Sequence, residues 1–90
     1  MSQSITVSQK QIVIVEDEPD ILDVLSYNLK REGFAVASAQ NGALCLELIQ
    51  RIKPDLVLLD LMLPGMDGLD VCRHLKSNSA SKPIPVIMVT

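Results

Sequence analysis

Apolar residues along this chain fall into two alternating rhythms. Short apolar runs at Gln11–Val15 (Gln-Ile-Val-Ile-Val), 55–60 and 84–89 are rich in Val, Ile and Leu and read as strands, and 34–39 (Phe-Ala-Val-Ala-Ser-Ala) reads as a short strand between the first two of them. Between them the apolar positions recur at helical spacing. Ile21, Leu22, Leu25 and Leu29 mark a first helix, Leu44, Leu48, Ile49 and Ile52 a second, and Leu69, Cys72 and Leu75 a third. The punctuation agrees with these rhythms. Pro19 suits the first position of a helix, where its missing N–H costs nothing. Gly33 is a good terminator for the first helix, and Asn41 an N-cap for the second. Pro54 closes the second helix, Asp67 can cap the third, and 77–82 is a polar loop. Pro85 is tolerated near the start of the last strand.

Strand then helix, three times over, then a strand, predicts an α/β domain with a parallel sheet and right-handed crossovers. A flavodoxin-like doubly wound sheet would place the four strands in the order 2-1-3-4. Val57, Leu58 and Leu59 form the continuous apolar run expected of a strand buried on both faces. That strand ends in Asp60, followed at once by a loop rich in Pro and Gly. A carboxylate there is expensive unless it faces a cleft, and ligand clefts in such sheets lie just beyond the carboxyl ends of the strands. The expected strand order brings Asp17, beyond strand one, close to Asp60, with Thr90, at the end of strand four, on its other side.

Composition narrows the class. Ninety residues make one domain, with 1–10 as a polar lead-in and 11–90 as the folded part. Apolar residues are 48% of the chain, with one Tyr, one Phe and no Trp, so the core is aliphatic. No run approaches the roughly 18 apolar residues of a spanning helix and no signal peptide is visible, which points to a cytoplasmic protein with no membrane partner. Cys45 and Cys72 sit within apolar-periodic segments and read as reduced thiols in or near the core. A net charge of −3 argues against nucleic-acid binding by this segment.

Crowded carboxylates repel one another and call for a cation. An all-oxygen, partly open site suits Mg²⁺. Asp17 and Asp60 are the expected direct ligands, with Glu16 direct or bridged by water. An aspartate beside a metal is also a nucleophile toward a phosphoryl group, forming an aspartyl phosphate. The Thr90 hydroxyl could donate to a phosphoryl oxygen. Each feature has a plainer explanation on its own. Glu18, Asp20 and Asp23 belong to the dipole-favoured start of the first helix. Asp67 and Asp70 read as a cap and a surface acid, and His74 as an exposed residue. Glu16 and Asp17 would join that helix start were there no acid at the end of strand three.

Three segments together resemble the receiver domain of two-component response regulators. They are Ile-Val-Ile-Val-Glu-Asp-Glu-Pro-Asp from Ile12, Pro-Asp-Leu-Val-Leu-Leu-Asp-Leu-Met-Leu-Pro-Gly-Met-Asp-Gly from Pro54, and Pro-Ile-Pro-Val-Ile-Met-Val-Thr from Pro83. The resemblance covers roughly residues 10–90 and implies Asp60 as phosphoacceptor, Glu16 and Asp17 as the acidic pair for Mg²⁺, the Met62 backbone carbonyl as a further ligand, and Thr90 as the switch hydroxyl. It also implies a sensor histidine kinase as phosphate source and an output domain elsewhere. The wording around Asp60 and in strand four is most similar to winged-helix transcription regulators related to the phosphate-regulon regulator. Family members continue past the switch residue with a fifth strand, two helices and a lysine that pairs with the phosphoryl group. None of these is in the ninety residues, and Lys82, before strand four, is no substitute. Strand four is therefore expected to form an edge open to self-association.

Three alternatives fit less well. A Mg²⁺-dependent phosphatase with an aspartyl nucleophile would need Asp-x-Asp, but Leu61 and Met62 follow Asp60. A nucleotide- or flavin-binding domain would need a phosphate-cradling loop where Glu16-Asp17-Glu18 stands. A non-phosphorylated interaction remnant is the last. The expected role is thus a phosphoacceptor module, which assists its own phosphorylation without being an enzyme that turns over a separate substrate.

Overall fold

The computed structural model describes residues 9–60, 63 and 67–89. The strands are β1 (Gln11–Val15), β2 (Ala35–Ala39), β3 (Leu56–Asp60) and β4 (Val86–Val89), and the helices are α1 (Pro19–Arg31), α2 (Gly42–Ile52) and α3 (Gly68–Ser77). All three strand pairings are parallel, in the order β2-β1-β3-β4. This is the doubly wound order expected from the sequence.

Handedness decides which helix covers which face. The β1-to-β2 step moves one way along the sheet, while β2-to-β3 and β3-to-β4 move the other. Right-handed crossovers then put α1 on one face and α2 with α3 on the opposite face. The core follows this division. Val13, Val15, Val57 and Leu59 point to one face and cluster with Cys45 and Ile49 of α2 and Val71 and Leu75 of α3. No residue of α1 is fully buried. Ile21 is 46% exposed, Val24 60% and Ile87 of β4 51%. Leu56 and Leu58 are only half-buried, so β3 is not covered equally on its two faces. The continuous apolar run suggests two-sided burial. One face, however, has two helices, and the other has α1, packed chiefly on β2.

Local signals act as expected at several ends. Pro19 opens α1, and Gly33 follows it at φ 96°, a conformation that a β-carbon disfavours. The Asn41 side chain accepts from the Leu44 N–H at 2.9 Å, and that of Asp67 from the Leu69 N–H at 2.8 Å. The buried stripes are shifted from the sequence expectation. On α2 the stripe is Gly42, Cys45 and Ile49, with Leu44 49% exposed; on α3 it is Gly68, Val71 and Leu75, with Leu69 52% exposed. Gly42, Cys45, Gly68 and Val71 face the sheet together with Ile49 and Leu75, while Leu44 and Leu69 lie to the side. Both cysteines are free thiols, Cys45 fully buried with its pKa pushed up to about 12 by burial, and Cys72 half-buried.

Strand β4 begins at Val86 rather than at position 84. The Ile84 N–H donates to the Ser81 carbonyl at 2.9 Å, and the Ile84 carbonyl accepts from Lys76 Nζ at 2.6 Å, so both groups serve the loop. The buried Ser81 hydroxyl donates to the Leu75 carbonyl at 2.7 Å, tying this loop to the end of α3. Of the lead-in, only Gln9 and Lys10 are among the described residues. The Gln9 side chain donates to the Gly33 carbonyl, and the Lys10 carbonyl accepts from the Ala35 N–H.

Candidate functional site

The register of the sheet builds the site. Val15 pairs with Leu59 across β1 and β3, so Glu16 stands level with Asp60, one step beyond the paired residues. The Glu16 N–H donates to the Ala39 carbonyl at 3.1 Å, which extends the β1–β2 ladder by one rung and fixes the backbone of Glu16. Asp60 itself pairs with Val89 of β4. Pro19 starts α1 three residues after Glu16, so Asp17 lies in a short turn at the mouth of the sheet.

Glu16, Asp17 and Asp60 each offer a carboxylate oxygen, and these oxygens lie within 4.8 Å of one another. Glu16 is 5% exposed, Asp60 half-buried and Asp17 exposed, so the cluster runs from the protein interior to solvent. Burial pushes the Glu16 carboxyl above its ordinary value of 4.5. The Glu18 N–H, donating to Glu16 Oε2 at 3.2 Å, works the other way. The charge of Asp60, a hydrogen bond shared with it, and the charge of Asp17 push upward again. Three acids so arranged fit a hard divalent cation. The donors are all oxygen, one side is open to water, and a cation relieves the repulsion that disfavours ionised Glu16. Neither His nor Cys belongs to the cluster, which separates it from the usual zinc donor sets.

The raised Glu16 pKa has a definite sign. The folded state holds this proton more tightly than the unfolded chain does, so the group's favourable contribution is complete below 4.5 and is lost as pH rises through the folded-state pKa. In metal-free buffer, Glu16→Gln is expected to match the unmodified protein near about pH 4 and to be the more stable of the two near about pH 7. Urea unfolding at both pH values checks this, and a variant less stable at neutral pH would contradict it.

The structure brings Glu16, Asp17 and Asp60 together as expected. Met62 and Thr90, the other two expected site residues, lie outside the described residues. Lys82 sits in the connection before β4, at the opposite end of the sheet from Asp60, and its carbonyl accepts from Lys76 Nζ at 3.1 Å. Asp20, Asp23, Asp67, Asp70 and His74 are exposed and stand outside the cluster. Glu18 is the one contributor that side-chain chemistry could not reveal. It acts through its backbone N–H, and its side chain makes no capping bond to α1.

The model of the response regulator receiver domain family matches residues 12–90. The DNA-binding response regulator MtrA of Mycolicibacterium smegmatis is 43% identical over 82 residues, which is 91% of this chain and 35% of that protein. The chain thus spans about a third of the length of this relative. Among solved structures, the N-terminal domain of a response regulator receiver protein from Methanoculleus marisnigri JR1 superposes with a TM-score of 0.88 at 41% identity, over 92% of this chain and 68% of that one. The receiver domain of the sensor histidine kinase PA1611 from Pseudomonas aeruginosa PAO1 also gives 0.88, at 26% identity and with the same coverage. That structure has a magnesium ion coordinated in its active site cleft.

Proposed function

Because the chain belongs to the response regulator receiver domain family, we propose that Asp60 is its phosphoacceptor and that Glu16, Asp17 and Asp60 hold Mg²⁺ for the reaction. The supporting observation is the convergence of the three carboxylates at the end of the sheet. A carboxylate oxygen of Asp60 attacks phosphorus while the bond from phosphorus to its donor, a kinase histidine nitrogen or a small phosphodonor, breaks. The cation supplies charge neutralisation for the phosphoryl oxygens. Glu16, its backbone fixed by the Ala39 carbonyl, and Asp17, on the open turn, would hold the cation together with Asp60. The Met62 carbonyl is proposed as a further ligand and the Thr90 hydroxyl as the group that answers the new phosphate, which would then shift a two-state equilibrium.

The module is a signalling component, with a sensor histidine kinase as donor and transcription control through a winged-helix DNA-binding output as its use. Likeness to MtrA supports that output. No helix among the described residues is long and apolar enough to cross a membrane. A cytoplasmic location suits a module that a kinase phosphorylates and that acts on transcription through a separate DNA-binding output. Self-association through the open edge of β4 completes the proposal.

Asp17→Ala tests the metal half. It removes a charged oxygen from a site that has few, so Mg²⁺ affinity is expected to fall by about tenfold or more. Titration of the two proteins with Mg²⁺ or Mn²⁺, followed by amide NMR shifts around Glu16 and Asp60, reads the difference. Equal titration curves would reduce the acids to a helix start.

A further inference from the structure

A second site lies at the far end of the molecule from the acids. A cavity of about 180 Å³ opens between the C-terminal halves of α2 and α3 and the connection leading to β4. Ile49, Leu75 and Ile84 are buried residues that line it. An apolar cavity of roughly 150 Å³ is enough to hold a benzene-sized guest. Lys53 and His74 also line the cavity, while no carboxylate does, in a chain whose eleven acidic residues outnumber its eight Lys and Arg. Among the described residues, the Lys53 ammonium has no hydrogen-bond or ion-pair partner. Lys76, by contrast, is engaged by the carbonyls of Lys82 and Ile84.

The backbone adds a separate observation. Lys53 ends α2 at φ 49° and ψ 70°, and among the described residues it is the only non-glycine with positive φ. Glycine is the usual residue at such a left-handed helix end, because a β-carbon is strained there. The chain instead keeps a lysine at that point, on the wall of the cavity. Strained backbone of this kind is found disproportionately at ligand sites.

We propose that this cavity binds a small apolar monoanion, an aryl or branched aliphatic carboxylate. Its apolar body would rest on Ile49, Leu75 and Ile84, and its carboxylate would meet Lys53, with the His74 imidazole as a second donor. A charge-assisted bond at a partly enclosed site gives the selectivity for an anion, and the apolar floor gives the selectivity for a ring or branched chain.

Benzoate is the probe, with neutral benzamide as its near-isostere, and amide NMR of the 90-residue chain is the measurement. Benzoate is expected to move the Ile49, Lys53, Leu75 and Ile84 signals along a saturable curve, with a dissociation constant of about millimolar order. Benzamide is expected to bind about tenfold more weakly. Lys53→Gly separates the two roles of the lysine, because it relieves the backbone strain and removes the charge. The variant should resist urea better and lose most of its benzoate affinity, with benzamide binding unchanged. Lys53→Asn, also tolerant of the left-handed conformation, should likewise lose benzoate. Shifts that rise without saturating mark an adventitious additive only and overturn the proposal. Equal affinity for the two probes, or unchanged benzoate affinity in both variants, overturns it as well.

Discussion

Asp60→Asn is expected to abolish covalent phosphorylation. The unmodified protein, given a small phosphodonor and Mg²⁺, should acquire a label that survives acid and is lost in base, as an acyl phosphate is. Asparagine keeps the size and half-buried position of Asp60 at the end of β3. Its amide is a poor nucleophile and carries no charge for the cation, so both parts of the chemistry fail together. The register that sets Asp60 level with Glu16 belongs to the backbone of β1 and β3 and should survive the change. Mass spectrometry of the intact protein reads the added phosphoryl group directly. The same label on the Asn variant would transfer the role to another residue and sink the assignment.

Ile87→Lys is expected to change the state of association. Among the described residues β4 is at the end of the sheet, four residues long, uncharged and with Ile87 half exposed. An edge of this kind offers unpaired N–H and C=O groups to another strand. Ile87 pairs in register with Leu58, which is itself only half-buried, on the face that α1 covers incompletely. Each large aliphatic side chain buried there in a dimer contributes up to about 1.5–3 kcal/mol. Two or three such side chains rival a good part of the roughly 5–15 kcal/mol that holds a small domain together. The unmodified chain should therefore sediment as a dimer or larger species at micromolar to millimolar concentration. Lysine at position 87 places a charge on that face and should return the chain to monomer. A sharp monomer before substitution, with β4 amides strongly protected from exchange, would show that this edge does not recruit a second chain.

Much of the architecture was legible because its signals are local. Pro19, Asn41 and Asp67 mark helix starts through backbone and side-chain chemistry that needs no tertiary context. The apolar runs mark the strands, and once the order 2-1-3-4 is supposed, the meeting of Asp17 with Asp60 follows. Burial was less legible, since it depends on what lies above each face. Leu44 and Leu69 fit a helical period yet stay exposed, while Val71 and Cys45 fill the narrower space against the sheet. The start of β4 was misplaced because a lysine eight residues earlier, Lys76, takes the Ile84 carbonyl. The Glu18 N–H donation to Glu16 left no trace in residue type. Neither did the cavity beside Lys53, whose walls come from three separate segments.

The sheet order has a consequence for the time course of folding. Of the four described strands β1 is synthesised before the others, yet it lies between β2 and β3, and its contact with Asp55 at the foot of β3 spans 44 residues. On a chain growing from its N-terminus, β1 and β2 can meet early, but a unit of about thirty residues has too small a core to persist alone. The loop closed by the β1–β3 pairing is long, so entropy delays it, and such nonlocal pairings are slow. Glu16 and Asp17 therefore wait, as ordinary solvated acids, until Asp60 docks beside them. A divalent ion that binds only the completed cluster pulls the β1–β3 pairing forward by mass action. Refolding in Mg²⁺ should then leave the early β1–β2 phase unchanged and slow the unfolding of the assembled sheet.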